Sequence, residues 1–421
     1  MRAPRSGYLP SLDGWRAIAI AAVIFAHDPD EFGPGRISTA HLRPYGWAGV
    51  DLFFAISGLL ICSRLLEEER MNGSIALRDF YVRRFFRIFP PAWLFLTIYL
   101  VLAFLHRLPM GLAATGAAVL MIRNFWGAFG GDPPNEVYTD HFWSLSVEEH
   151  FYLILPAIMV FAKRRVQIVA WLTAAAATWF VFMARFGTST GNLFLSRTDL
   201  RIHGLLLPAL LALLLARPDF RAATVRWLRP WLCITVTCLL MLALRKFPLS
   251  VRLLQAGLCF PLLVASTMIH PSSIACRVLE WKPLRYVGRL SYGIYLWQQI
   301  FLIRGVMVHW PFVALQQFPV KYIGIFACSA VSYYLLEKPM IAWGHRLAPP
   351  ATPGRRDVAS GADAGTSDQQ AGSRAGSPAS LAASSTLSPS WMSMARLTFP
   401  SRLELNRPEG SFNAAPLANV I

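Results

Sequence analysis

Arg16 and His27 lie on one stripe of the first apolar segment. They are eleven residues apart in Gly14-Trp-Arg-Ala-Ile-Ala-Ile-Ala-Ala-Val-Ile-Phe-Ala-His27. At about 100° per residue, eleven helical steps return nearly to the same face, about 16 Å further along the axis. Ionisable groups at membrane depth are costly to keep and mark functional positions. An ordinary histidine titrates near pH 6.5, which suits His27 to take a proton from an attacking hydroxyl. Asp13 precedes Arg16 by three residues, so the two can pair on one helix face and lower the cost of burying either.

Further groups of the same kind interrupt the apolar background. Asp51, in Gly49-Val-Asp51-Leu-Phe-Phe-Ala-Ile-Ser57-Gly58, is a buried-carboxylate candidate near the depth of His27. Phe142-Trp-Ser-Leu-Ser-Val-Glu148-Glu149-His150-Phe-Tyr152 puts two carboxylates and a histidine at the expected outer start of a span, an acid–base set. Glu148 and Tyr152 are four apart and share a face. Arg84 and Arg87 stand three apart before Pro90, on the inner side of a helix start. Guanidinium pairs of this kind bind phosphate through forked, charge-assisted contacts, and positive-inside arginines meeting anionic lipid have the same appearance. The polar groups of Ser291-Tyr-Gly-Ile-Tyr-Leu-Trp-Gln298-Gln299 and Glu337-Lys-Pro339 suit the joining of helices inside a bundle as well as chemistry.

Composition fixes the class that must position these groups. Of 421 residues, 55% are hydrophobic and 15% charged, well below the charged share of an ordinary soluble chain. Apolar runs of spanning length recur from residue 14 to about 337, which makes an all-α, polytopic transmembrane helical bundle. The net charge of +17 resides in arginines clustered between apolar runs, where the positive-inside rule puts them. No basic face with interleaved aromatics appears, so nucleic acid is not the expected partner; membrane lipid is. The six cysteines show neither metal spacing nor a disulfide framework, and no metal site is expected. The first apolar segment has no small-residue cleavage site and reads as a retained helix.

Charge bookkeeping gives about ten spans with both termini cytoplasmic. Spans of about 12–30, 47–66 and 88–106 alternate correctly around the arginines at 70–87. Residues 108–147 read as a re-entrant or outer-leaflet insertion, because a full crossing would put Lys163-Arg-Arg165 outside. A span over about 148–162 follows, then two flanking an outer loop at 187–201, two between the basic loops 217–230 and 270–290, and two more over 291–309 and 318–337. Residues 8–345 form the membrane domain; 349–421, rich in Ala, Ser, Gly and Pro, read as a disordered cytoplasmic tail.

These motifs, in this order, resemble the acyltransferase-3 family of membrane-bound O-acyltransferases. The resemblance rests on Leu12-Asp-Gly-Trp-Arg16 with His27, the Asp51 segment, Arg84/Arg87, Phe142 to Glu149, Arg197-Thr-Asp199 with Gly204, and the two C-terminal motifs. Gln298 departs from it, standing where many members have histidine, which favours His27 as the base. The resemblance implies a bacterial-type inner-membrane enzyme. It would move an acyl group from cytoplasmic acyl-CoA, acetyl-CoA being the commonest donor, to a hydroxyl of a cell-surface glycan or other hydroxylated acceptor. No permanently bound cofactor is expected. His27 would act as base, with Asp51, Glu148 or Glu149 orienting its ring. Arg84 and Arg87 would hold the CoA phosphates, and Arg16 would line the route between. Members differ in carrying an appended extracytoplasmic esterase-like domain; none is legible here, and the expectation is an acceptor reached directly by the membrane core. A transporter or flippase for a phosphate-bearing lipid or lipid-linked glycan is the alternative that fits polytopic topology and basic loops.

Overall fold

The computed structural model describes residues 9–28, 45–129, 134–186, 196–303 and 312–349; the tail expected from 349 falls almost wholly outside them. Among the described residues every regular element is helical. Helix α1 (Pro10–His27) opens on proline, whose fixed φ suits a first turn. Helix α2 (Ala48–Asn72) ends at Gly73, left-handed at φ 77°. Helix α3 (Leu77–Phe104) carries Pro90 and Pro91 inside it, and begins eleven residues before the apolar run expected from 88. Hydropathy marks where apolar surface begins, whereas arginine is a good helix former, so the helix starts earlier and holds Arg84 and Arg87 within it.

Helix α4 (Leu112–Val119) has 8 residues, about 12 Å of rise against the roughly 30 Å of a hydrocarbon core. Two 3-10 turns follow, Arg123–Phe129 and Pro134–Thr139. Protein covers this irregular backbone: the buried Tyr99 hydroxyl donates to the Pro109 carbonyl at 2.9 Å and accepts from the Gly111 N–H at 3.1 Å. Helix α5 (Phe142–Phe161) then starts six residues earlier than the span expected from 148, so Glu148 lies two turns inside it.

The remaining elements are α6 (Arg165–Phe186), α7 (His203–Leu215) after the turn Thr198–Arg201, α8 (Pro218–Thr224), α9 (Pro230–Ala243) and α10 (Leu249–Ile269). Helix α11 (Ile274–Leu279) and the start of α12 (Lys282–Leu302) occupy what reads from charge as a loop. Helix α13 (Val320–Ser332) passes through a π turn, Tyr333–Glu337, into α14 (Lys338–Leu347).

Among the described residues five helical segments are long and apolar enough to cross a membrane: Ala48–Asn72, Leu77–Phe104, Val137–Phe161, Arg165–Phe186 and Leu249–Ile269. The helices His203–Leu215 and Pro230–Ala243 are apolar but shorter. Phe161, Trp171 and Leu335 are among the large apolar side chains left facing outward, a surface suited to lipid. Inside, α1 packs between α12 and α2; α2 also meets α7 and α10; α13 lies on α12, and α14 on α3.

The α1–α12 crossing is the tightest. A methyl group at Gly288 would sit on the Asp13 backbone carbonyl, so only glycine allows this approach. Gly288→Val is expected to cost at least about 1–3 kcal/mol through overpacking and to lower the thermal midpoint and yield of detergent-solubilised protein.

Candidate functional site

Register between α1 and α2 sets the depth of each polar group. Gly46 packs against Ala26, and Gly49 against Ala19 and Val23, so the helices run antiparallel. Extending that register puts His27 beyond the start of α2 and Asp13 and Arg16 level with the turn Phe54–Ser57. The site is therefore a column with a His27 end and an Arg84 end.

At the His27 end, the imidazole Nδ1 lies 2.8 Å from the Val23 carbonyl. A carbonyl only accepts, so this contact fixes the proton on Nδ1 and puts the lone pair on Nε2. The next residue, Asp28, is buried and pairs with Lys321, while the Tyr322 hydroxyl donates to its second oxygen. Asp51 is committed elsewhere: its Oδ1 accepts from Arg201 Nη2 at 3.1 Å, with both side chains buried. The Arg201 guanidinium lies over the rings of Phe54 and Trp143, at 5.6 and 5.7 Å.

In the middle of the column, Arg16 donates to Asp13 at 2.9 Å, as the three-residue spacing anticipates. Ser57 donates to Glu148 Oε1 at 3.1 Å, and Tyr152 donates to Glu148 Oε2 at 3.3 Å. Arg84 stacks over the Tyr152 ring at 4.8 Å and interacts electrostatically with Glu148 and Glu149. Arg84, Arg16 and Arg83 each act electrostatically on the buried Arg64. The structure thus brings Glu148 to the Arg84 end through Ser57 and Tyr152. Its early position in α5 explains this: with the helix starting at Phe142, Glu148 is carried past the depth of His27.

At the Arg84 end, Arg84 and Arg87 are both buried, and α14 covers them. Phe86 meets Trp343 edge-on at 6.5 Å, and Arg83 reaches the Ala348 carbonyl at 3.4 Å. Burial, with the charges of Arg87, Arg83 and Arg64, holds the His345 imidazole down at about 4. Such a concentration of cations suits a multiply charged anion such as phosphate.

Sequence reasoning did not single out Arg201, Lys321, His141 or Arg64. Arg201 had a signal: an arginine at the edge of an apolar run whose charge could answer the carboxylate in the run holding Asp51. His141 is fully buried, 4.9 Å from Phe95 and 5.5 Å from Tyr295 between ring centroids. Gln298 is fully buried too, on the face of α12 that carries Tyr295.

A family profile described as an acyltransferase domain covers residues 9–337. The chain belongs to the acyltransferase-3 family. It is 30% identical over 317 residues to the peptidoglycan O-acetyltransferase OatA of Listeria monocytogenes, covering 69% of this chain and 49% of that protein. Identity to the putative peptidoglycan O-acetyltransferase YrhL of Bacillus subtilis is 30% over 386 residues, covering 80% of this chain and 56% of the relative. For the O-acetyltransferase OatA of Staphylococcus aureus it is 26% over 329 residues, with shares of 70% and 51%. The chain thus spans about half the length of the curated relatives it matches. No solved structure matches. Family membership and the five apolar helices together make this an integral membrane protein.

Two stability predictions follow from this geometry. Arg201→Met leaves the Asp51 charge buried without its cation and is expected to cost about 3–5 kcal/mol. Adding Asp51→Asn should recover most of the loss, read as thermal midpoints in detergent. His345 binds a proton at 6.5 when unfolded but only at about 4 when folded. Between those values the unfolded state holds more protons, so stability falls as pH falls through the window. The thermal midpoint of His345→Gln should fall less steeply there than that of the wild type.

Proposed function

We propose that the protein transfers an acetyl group from acetyl-CoA to a hydroxyl of a cell-envelope glycan across the column described above. Peptidoglycan is the acceptor carried in the names of its relatives. The observation that supports this reading best is the buried polar line from Arg84 through Tyr152, Glu148 and Ser57 to the level of Arg16, with His27 beyond it. A membrane bundle keeps such a line only for a task that needs charge or protons at depth.

In this reading Arg84 and Arg87 bind the phosphates of CoA on the cytoplasmic side. Ten crossings then leave both termini cytoplasmic and His27 towards the outer face. His27 Nε2 takes the proton of the acceptor hydroxyl as its oxygen attacks the thioester carbonyl carbon. The carbon–sulfur bond breaks, the acetyl group ends on the acceptor oxygen, and the thiolate of CoA takes up a proton. A positioned base of this kind contributes on the order of 10² to 10⁴ in rate. The cation of Arg16, tethered by Asp13 about 16 Å along α1 from His27, lines the route along which the acetyl-bearing arm of CoA reaches the base. Glu148 holds Tyr152 and Ser57, and Glu149 contributes to the field around Arg84. Asp51 shapes the outer part of the column through Arg201.

Membranes expressing the protein, given labelled acetyl-CoA and envelope glycan, should put label into a base-labile ester. His27→Ala at equal expression should lose the transfer by at least about 100-fold. Arg84→Ala/Arg87→Ala should weaken acetyl-CoA binding; unchanged binding would remove the donor site. A folded wild type that transfers from none of several acyl-CoAs would favour transport of a phosphate-bearing lipid instead.

A further inference from the structure

Asp28 and Lys321 are 293 residues apart in sequence, yet they form one buried ion pair beside His27. Each charge stands at the wrong end of its own helix. Asp28 caps the C-terminus of α1, its N–H donating to the Ile24 carbonyl at 2.9 Å, where the helix dipole disfavours an anion. Lys321 lies in the first turn of α13, where the dipole disfavours a cation. Both are also removed from solvent, at 3% and 1% exposure. Desolvation and two opposed dipoles make this an expensive way to join two helices, since an apolar pair of similar size would join them as well or better.

What the pair does uniquely is anchor the residue next to His27. The Nδ1 contact that sets the His27 tautomer runs to Val23, four residues back, so it exists only while the last turn of α1 stays helical. Helix ends fray, and the carboxylate of Asp28 is held at both oxygens, by the Lys321 ammonium and the Tyr322 hydroxyl. We propose that Asp28, Lys321 and Tyr322 form a clamp that positions His27 and balances the charge beside it. They are positioning residues, and the proposal rests on His27 being the base.

The clamp predicts opposite effects from its two charges. Around this end the described charged and titratable groups are Asp28, Lys321 and Tyr322, Arg252 of α10 over the Trp47 ring at 5.5 Å, Tyr45 beside Arg252, and the Asp51–Arg201 pair. Helix α12 adds the amides of Gln298 and Gln299 and the Tyr295 hydroxyl, and the Gln299 hydrogen bond to the Val137 carbonyl at 3.1 Å brings in Tyr138, His141 and the Asp140–Arg123 pair. Lys321→Met leaves an anion beside His27 and should move the acid limb of the pH–activity profile up by about one unit. Asp28→Asn leaves a cation there and should move the limb down. Asp28→Asn/Lys321→Met removes both charges; its limb should return to the wild-type position, with kcat about 10-fold lower and KM for acetyl-CoA unchanged.

The full-length protein in native membranes is the material, with each variant's folded fraction measured by size-exclusion chromatography. Shifts in the same direction, or none, in folded single variants would overturn the clamp. Should the single variants not fold, the double variant decides: full activity with a wild-type profile sinks the proposal, and reduced kcat at constant KM supports it. His27→Gln, assayed alongside, separates the two claims. If it retains transfer, His27 is not the base and the parent reading fails; if it is inactive while the clamp variants behave like wild type, only the clamp fails.

Discussion

A charge removed from water must meet its counter-charge at the same depth, and the internal arrangement of this bundle follows from that constraint. Among the described residues Asp13–Arg16, Asp51–Arg201, Asp28–Lys321 and Arg123–Asp140 are buried pairs, and the first three lie at successive levels of the column. None is good evidence of stability in itself, since desolvation offsets most of the Coulomb gain. Their effect is on specificity. Asp13–Arg16 lies within α1, whereas Asp51–Arg201 and Asp28–Lys321 join residues far apart in the chain and tie their elements in one register. Asp51 on α2 thereby fixes the turn Thr198–Arg201 and the start of α7.

Apolar packing then has to bring the backbones close enough for these pairs to form. At the α1–α12 crossing, the glycine at 288 lets the Asp13 carbonyl lie against the opposing helix. Asp13 is also the partner of Arg16, so the closest helix contact and the first buried pair share a residue. A bulkier residue at 288 would push α1 away and shift Arg16 relative to the Ser57–Glu148 hydrogen bond. Packing at the crossing and geometry in the column are one requirement.

The parts of this arrangement that the sequence discloses are those with short-range causes. The Asp13–Arg16 pair follows from a three-residue spacing, and the Tyr152–Glu148 hydrogen bond from a four-residue spacing on one face. Apolar length discloses the helical class, and motif order discloses the family. What stays hidden depends on topology. Arg201 lies 150 residues from Asp51, and Lys321 lies 293 from Asp28, with nothing local to announce either partnership. The depth of Glu148 was hidden for another reason. Hydropathy locates the apolar stretch, while the helix is set by backbone hydrogen bonding that begins at Phe142.

That difference in where a helix begins changes the chemistry assigned to a carboxylate. Had α5 begun at Glu148, the side chain would have stood near the end of the column beside His27, able to orient its ring. Two turns into the helix, it instead takes hydrogen bonds from Ser57 and Tyr152, below the ring that Arg84 covers. The His27 Nδ1 lies instead against the Val23 carbonyl, within its own helix. A backbone carbonyl accepts from Nδ1 as a carboxylate would, so it fixes the same ring tautomer from within α1, and the orientation of the ring depends on the last turn of that helix staying formed.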